Sequence, residues 1–416
     1  MTTGVDQAIG TDQTIGERIE LLRRRRGLSR QTLASLVGHS SEWLRQVERK
    51  GRQVDRLSTL LRLAEVLQVK DVAAFMGVAV PAPRVDQFTA GAAPDIRAVL
   101  LGHRAHSSGA GHPWEDDGRL RDDVAMAWTA WRNSARRWSA VRACLPGLLK
   151  RVCGPDTGRA DPADLELRAE SHRLASAFLH GSGELPLALL AMDRALADAR
   201  LAGAPLLEAA CLCGFGDVLL RLQAPAEARE MCTAAADGLE TREDPHGYEW
   251  VAARAWLYLT AAEAGAFAQD HHDADRLLDR AAALVDDLER AGPAPELTVR
   301  GTVVPVRPVD VAVHQVRVEV VLGRPGKALR LAEHVENVEL LDRERQARFY
   351  LTLARAHLRE SNQPGAVLAL MQADRASPEE MRFNVYARRL LKQAIGHDNV
   401  TVRHDLSRLA ERAGLL

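Results

Sequence analysis

Apolar residues recur along most of the chain at the three- and four-residue spacing of an amphipathic helix. Near the N-terminus, Ile15, Ile19 and Leu22 form one such stripe, and Gly27 follows where a helix would end. Three more short helices are predicted after this one. Gly38 permits a sharp turn between the second and the third of the four helices. The last three helices have apolar stripes at Leu33, Ala34 and Val37, at Leu44 and Val47, and at Leu57, Leu60, Leu61, Ala64 and Leu67. Short helices with a glycine turn and a polar, basic later helix favour a helix-turn-helix.

The pattern is also helical from about Gly118 onward, where segments of 15–20 residues alternate with short breaks. The first of these segments is predicted as one helix over Arg119–Cys153. Four prolines each stand between two segments: Pro186, Pro225, Pro325 and Pro364. They are separated by 39, 100 and 39 residues, and a proline-free match at His272 divides the 100 into 48 and 52. A helix hairpin recurring roughly every 39–52 residues predicts a solenoid with a concave inner face.

Between these two regions the sequence changes character. Residues 78–117 are rich in proline, glycine, alanine and serine, which is typical of a linker with at most a short helix. We therefore predict three parts: an N-terminal domain over 14–77, a linker over 78–117 and a helical-repeat domain over 118–416.

Composition excludes several classes of protein. The chain has 416 residues, of which 46% are hydrophobic and 27% charged, so it can bury a sizeable core and is not a disordered chain. No run of 18 apolar residues exists and the first residues are polar, so we predict neither a membrane span nor a signal peptide. Five cysteines without regular spacing do not form a disulfide framework, which indicates a cytoplasmic protein.

The net charge of −1 conceals an uneven distribution. From residue 14 to residue 60 there are eleven basic and five acidic side chains, whereas residues 81–416 carry 42 bases and 47 acids. The N-terminal segment is therefore +6 and the larger region −5. Such asymmetry is typical of an anion-binding module attached to a nearly neutral body.

The N-terminal segment also carries a resemblance to a known family. Residues 27–49, GLSRQTLASLVGHSSEWLRQVER, have the turn glycine, serine caps and apolar spacing of the Xre family, the lambda-repressor-like helix-turn-helix. The sequence departs from that family pattern at Gly51, which comes one residue late, and at Asp55, which stands near the expected proline. Trp43 also occupies a position that is usually small or polar. For Trp43 we favour packing on the first helix over stacking on a DNA sugar or a thymine methyl.

The resemblance implies a recognition helix in the major groove of double-stranded operator DNA. Its base-contacting residues would be Ser41, Glu42, Arg45 and Gln46, and its phosphate contacts would be Arg30, Arg49 and Arg52. Gln46 suits adenine, Glu42 suits cytosine, and Arg45 suits guanine or a phosphate. We interpret the run Arg23–Arg26 as a solvated helix face, some of whose side chains lie near the DNA backbone.

Residues 118–413 resemble, with less specific motifs, bacterial Xre regulators that have tetratricopeptide-like C-terminal domains. The resemblance lies in the segments 145–149, LPGLL, 311–314, VAVH, and 326–333, GKALRLAE. The domain order is similar to that of peptide-sensing regulators of the RRNPP type. This resemblance implies an all-α fold in which a tetratricopeptide-like solenoid dimerises and binds a peptide, small-molecule or protein signal.

Few residues outside these motifs suggest chemistry. Trp128, Trp131 and Trp138 lie near one stripe, and we predict that they pack in the core, with a ligand or interdomain face as the alternative. His314 follows an irregular stretch, and we predict a buried, hydrogen-bonded histidine, with a binding face as the alternative. His103-x-x-His106 and Cys211-x-Cys213 lack the partners and spacing of a metal site. We therefore predict no metal, no cofactor and no enzymatic activity.

The sequence thus predicts a cytoplasmic, nucleoid-associated transcriptional regulator that binds operator DNA as a homodimer. The alternative is a protein-interaction scaffold in which the solenoid binds a partner protein and DNA contact is incidental.

Overall fold

The computed structural model describes residues 15–50, 54, 59, 62–63, 66–67, 87–101, 117–153, 161–240, 247–292, 304–396 and 401–415. The chain divides into two compact units, Met1–Gln87 and Phe88–Leu416. Every regular element in these described ranges is a helix, which confirms the predicted all-α fold. None of the described helices is long and apolar enough to cross a membrane.

The first unit contains α1 (Ile15–Arg25), α2 (Arg30–Leu36) and α3 (Ser41–Lys50). Ser29 caps α2 by accepting a hydrogen bond from the backbone N–H of Thr32 at 3.0 Å, and Ser40 accepts one from the N–H of Trp43 at 3.1 Å. Both predicted serine caps are therefore present. The core contains seven predicted apolar positions, Ile19, Leu33, Ala34, Val37, Leu44, Val47 and Leu67, together with Leu63, which the predicted stripe of the fourth helix did not include. Most of the predicted fourth helix lies outside the described residues.

α1 crosses α3 so closely that only glycine fits at one position. A Cβ atom on Gly16 would lie 2.1 Å from the carbonyl oxygen of Val47, which is backbone and cannot rotate away. We expect Gly16→Ala to destabilise the first unit by about 1–3 kcal/mol, because the two helices must separate. Hydrogen exchange measured by mass spectrometry on the full chain should show faster exchange in α1 and α3. Gly147→Ala is the matched control, since a Cβ there meets nothing within 4 Å. Exchange unchanged from the wild type would contradict this expectation.

The second unit contains sixteen further α-helices in the part of the chain that the structure describes. They are α4 (Gln87–Leu101), α5 (Asp117–Asn133), α6 (Arg137–Val152), α7 (Pro162–Ser182), α8 (Leu185–Leu201), α9 (Pro205–Arg221), α10 (Pro225–Glu240), α11 (Tyr248–Phe267), α12 (His271–Ala291), α13 (Pro308–Val321), α14 (Pro325–Ala332), α15 (Arg343–Arg359), α16 (Gln363–Ala376), α17 (Glu380–Phe383), α18 (Val385–Ile395) and α19 (Arg403–Arg412). α4 lies in the range predicted as a linker, and its Ile96 and Leu100 are buried with the core of this unit.

Five successive helix hairpins, α7–α8 through α15–α16, have the same kind of turn. In each, one residue shortly after the first helix has a positive φ: Gly183, Gln223, Gln269, Gly323 and Ser361. This left-handed residue lets the chain reverse, and its N–H donates a hydrogen bond to a carbonyl of the last helical turn. The N–H of Gln223, for example, donates to the carbonyl of Leu220 at 3.3 Å. Four of the second helices begin with a proline in the first turn. The recurring hairpin predicted from the proline spacing is confirmed.

The predicted single helix over Arg119–Cys153 is wrong. The chain turns at residues 134–136, where the Ser134 hydroxyl accepts a hydrogen bond from the N–H of Arg136 at 3.1 Å. The turn sets α6 against α5, so that the rings of Trp131 and Trp138 meet edge to face at 5.1 Å. Two helices therefore replace one because their facing aromatic side chains bury each other.

The solenoid closes on itself, since α15 packs against α5 and α18 packs against α7. Glu380, on α17, accepts hydrogen bonds from Arg137 Nε at 2.6 Å and Trp138 Nε1 at 3.0 Å. Next to it, Glu379 accepts a hydrogen bond from the N–H of Ser139 at 3.0 Å. The last helices therefore form one wall of the interior of the repeat.

Candidate DNA-binding surface and interior cavity

α3 presents the four predicted base-contacting residues together. Ser41, Glu42 and Arg45 are exposed and Gln46 is half-buried, because positions 41, 42, 45 and 46 share one face of a helix. Arg45 donates two hydrogen bonds to Glu42, at 2.6 and 2.7 Å, and the amide of Gln46 lies 3.4 Å from the same carboxylate. This contact with Glu42 raises the pKa of Arg45. The three polar side chains are therefore held to one another along the exposed face of α3.

The predicted phosphate-contacting arginines that the structure describes differ in burial. Arg30 is half-buried at the start of α2, where its Nε donates to Glu48 at 2.6 Å and its Nη2 to Glu20 at 3.1 Å. Arg49 is exposed on α3. Arg52 lies outside the described residues. The guanidinium of Arg30 is thus held in place before any ligand arrives.

A buried carboxylate joins all three helices of the first unit. The side chain of Glu48, on α3, is fully buried and accepts from Arg23 of α1 at 2.7 Å as well as from Arg30 of α2. Arg23 also donates to the carbonyl of Leu28 at 2.8 Å. The interpretation of the arginine run as a solvated face is therefore wrong for Arg23. One sequence signal points to this arrangement, since Glu48 lies one turn from the core residue Leu44, and a carboxylate on an apolar stripe needs a cationic partner.

Trp43 packs against the core of the first unit, to which Ile19 of α1 contributes. Its ring stacks on His39, with centroids 3.9 Å apart and planes 16° from parallel.

An interior cavity of about 370 Å³ lies within the closed solenoid of the second unit. Trp128, Trp131 and His314 line it, whereas Trp138 is buried behind the lining. The three tryptophans are between 1% and 6% exposed and belong to one hydrophobic core. The core-packing prediction is therefore confirmed for all three, while two of them also face the cavity.

Arginine is in excess over carboxylate around this cavity. Among its described lining residues are eight arginines and five carboxylates: Arg132, Arg137, Arg173, Arg221, Arg317, Arg345, Arg348 and Arg355, with Asp217, Glu263, Asp342, Glu344 and Glu380. Several of these form ion pairs across the interior. Arg348 contacts Glu344 at 2.7 Å and Asp217 at 3.3 Å. Although burial opposes it, Arg348 and Arg137 lower the pKa of Glu344 to about 2.

One wall of the cavity holds a carboxylate and an imidazole in close contact. The Nδ1 atom of His314 lies 2.8 Å from the carbonyl of Asp310 and so carries a hydrogen, because a carbonyl only accepts. Its Nε2 lies 3.3 Å from Glu263, whose other oxygen lies 3.0 Å from Arg317. Burial raises the pKa of Glu263 to about 7 and lowers that of His314 to about 4. His314 is hydrogen-bonded, as predicted, but it is half-buried, with 15% of its side chain exposed.

Metal chemistry and thiol chemistry at Cys211 and Cys213 find little support in the described ranges. No group of three or more His, Cys, Asp or Glu side chains there is arranged to hold a metal ion. Cys211 and Cys213 pack with the hydrophobic core, and burial raises the pKa of each thiol to about 12. The His103-x-x-His106 pair lies outside the described residues.

Comparison with known proteins identifies the N-terminal region. Residues 14–75 match a family model described as a helix-turn-helix domain, which confirms the predicted domain type. The chain is also similar to Bacillus thuringiensis PlcR in a crystal structure with the peptide PapR7 and DNA. That similarity has 14% sequence identity and a TM-score of 0.32, over 67% of this chain and 96% of that one. No curated protein matches the chain.

Proposed function

We propose that this protein is a sequence-specific, DNA-binding transcriptional regulator whose second unit binds a signal in its interior cavity. The observation that carries the proposal is the exposed polar face of α3, within a helix-turn-helix domain. A helix of this kind fits the major groove, where side chains at its N-terminal end meet base edges. Such a regulator would act in the cytoplasm on nucleoid DNA, without enzymatic activity of its own.

In this proposal Ser41, Glu42, Arg45 and Gln46 contact bases. Arg30, Arg49 and Arg52 contact phosphates. Each neutralised phosphate releases condensed counterions, so affinity should fall steeply as salt concentration rises. One such domain covers only a half-site, and we therefore propose a homodimer that reads two inverted half-sites.

Gln46→Ala is expected to relax sequence preference at one base pair, by about 1–3 kcal/mol, because the amide would pair with both edge atoms of adenine. The measurement is a competition gel shift on the protein's own promoter, with single-base variants of the bound site. Gln393→Ala is the matched control, since this glutamine is exposed on α18 in the second unit.

One result of this gel shift would reject the proposed function, and a second would reject the role of Gln46. Wild-type protein that binds all promoter variants equally, at every salt concentration, would indicate a protein-interaction scaffold. Equal base preferences in Gln46→Ala and wild type would remove Gln46 from the recognition surface.

A further inference from the structure

A cysteine, a histidine and an aspartate lie in contact where α6, α7 and α8 meet. Cys153 directly follows α6, His172 is on α7 and Asp198 is on α8. The Sγ atom of Cys153 lies 3.5 Å from Nε2 of His172, and Nδ1 of the same ring lies 3.3 Å from an oxygen of Asp198. We call these three residues the thiol triad. None of them is among the described residues that line the interior cavity, so the triad is a separate place in the second unit.

The order of these contacts determines which ring nitrogen carries the hydrogen. Although burial opposes it, hydrogen bonds from His172 and Arg168 lower the pKa of Asp198, and the resulting carboxylate can only accept hydrogen bonds. Nδ1 of His172 is therefore the donor, which leaves Nε2 of the neutral ring as an acceptor. In the contact with Nε2 the thiol of Cys153 is then the donor. His172 is thus oriented to take the thiol proton.

The surrounding helices hold the imidazole in that orientation. His172 is 3% exposed and Asp198 is 6% exposed. Arg168 donates two hydrogen bonds to the carboxylate of Asp198, at 2.9 and 2.5 Å, which fixes the carboxylate against the ring. The proton acceptor is therefore in place before any reagent arrives, and Asp198 acts through His172 as a positioning residue.

Cys153 differs from the other cysteines of the chain. It is half-buried, so a small reagent can reach its sulfur. Burial raises the thiol pKa of three others, Cys211, Cys213 and Cys232. Cys144 is also half-buried and lies on α6, but its sulfur contacts the carbonyl of Val141 at 3.5 Å, and burial raises its pKa. Because the thiolate is the nucleophile and the thiol is not, these differences favour reaction at Cys153.

The position of Cys153 at the end of α6 does not by itself favour a thiolate. The C-terminal end of a helix is the negative end of its dipole, which disfavours an anion. Activation of this sulfur must therefore come from His172, which becomes an imidazolium beside the thiolate when it takes the proton. A substitution that removes Nε2 should accordingly remove the activation.

We propose that Cys153 is a peroxide-reactive thiol, with His172 as its proton acceptor and Asp198 as the residue that positions His172. The thiol proton passes to Nε2 of His172 while the sulfur attacks one oxygen of a small hydroperoxide. The O–O bond breaks, and the sulfur is oxidised by two electrons to a sulfenic acid. The second oxygen takes the proton from His172 and leaves as water or an alcohol. This modification site is independent of the proposed DNA binding and of any ligand in the cavity.

The test is chemical labelling of the purified full chain, with mass spectrometry of each cysteine-containing peptide. Hydrogen peroxide is added together with dimedone, which reacts with sulfenic acids. We expect labelling of Cys153 to be about tenfold faster than that of Cys144, because a thiol beside a proton acceptor has a larger thiolate fraction. His172→Asn should slow labelling of Cys153 about tenfold, since an asparagine amide can replace the Nδ1 donor but lacks Nε2. His272→Asn, at an exposed histidine of α12, is the matched control.

A second measurement needs no variant, in case His172→Asn fails to fold. The rate of alkylation by iodoacetamide is followed against pH in the wild type, and we expect the rate at Cys153 to rise at a lower pH than the rate at Cys144. Equal labelling of the two cysteines, identical pH profiles, or undiminished labelling of Cys153 in folded His172→Asn would each overturn the proposal. Labelling of Cys153 that begins only when urea unfolds the chain would also overturn it.

Discussion

Glu48→Ala is expected to unfold the N-terminal unit while the second unit stays folded. The substitution leaves Arg23 buried without its carboxylate and removes the contact that holds Arg30. Breaking a buried ion pair by deleting one partner costs about 3–5 kcal/mol. A whole domain is stable by only about 5–15 kcal/mol, so this loss removes much of the first unit's stability. DNA binding should be lost with it, since α3 carries both Glu48 and the proposed base contacts.

Hydrogen exchange on the full chain measures this effect for each unit separately. In Glu48→Ala we expect rapid exchange throughout α1, α2 and α3, and wild-type exchange in α7 through α16. Glu42→Ala is the matched control on the same helix. Its ion pair with Arg45 is exposed, and such pairs contribute about 0–1 kcal/mol. Wild-type exchange in α1 of Glu48→Ala would show that the buried carboxylate does not hold the unit together.

Glu380→Ala is expected to open the closed solenoid. Glu380 is 1% exposed and accepts hydrogen bonds from Arg137, Trp138 and the amide of Asn384. Its removal leaves the guanidinium of Arg137, itself 3% exposed, buried with only the more distant carboxylate of Glu344, at 4.0 Å, and breaking such a buried pair costs about 3–5 kcal/mol. The contact joins α6 to α17. We therefore expect the lost free energy to weaken the closure of the solenoid. We expect a lower unfolding temperature and a larger radius of gyration in small-angle scattering.

A double substitution separates charge from packing at this contact. Arg137→Met combined with Glu380→Met removes both charges and fills the space with apolar side chains, and such replacements of buried pairs are often neutral or stabilising. We therefore expect the double variant to be more stable than Glu380→Ala and to scatter like the closed wild type. Asp287→Ala, which removes an exposed ion pair on α12, is the surface control. An unfolding temperature equal to that of the wild type in Glu380→Ala would refute the closure role.

Local features of this fold could be predicted from the sequence. Serine caps and apolar spacing locate α2 and α3, and the residue types of α3 place Ser41, Glu42 and Arg45 on its exposed face. The recurring prolines locate the hairpin turns because a proline in the first turn of a helix and a left-handed residue before it are local preferences. The packing of Trp43 also follows from its neighbours on one short helix.

Other features depend on partners that are distant in the sequence. Arg23 looked solvated because its neighbours are arginines, yet its partner Glu48 lies 25 residues away. Arginines from helices spread over most of the second unit line the cavity. No local pattern indicates that Arg132 and Arg173 contact the same indole ring, that of Trp128.

The sequence by itself determined that this protein is helical, begins with a helix-turn-helix and continues as repeated hairpins, because capping, turn chemistry and helical periodicity act within a few residues. The tertiary structure alone decided which charged side chains are buried, that the solenoid closes, and that arginines line its interior. Those outcomes depend on contacts such as Arg137 with Glu380, across 243 residues. A side chain's environment there is set by packing between helices whose order in space no local pattern encodes.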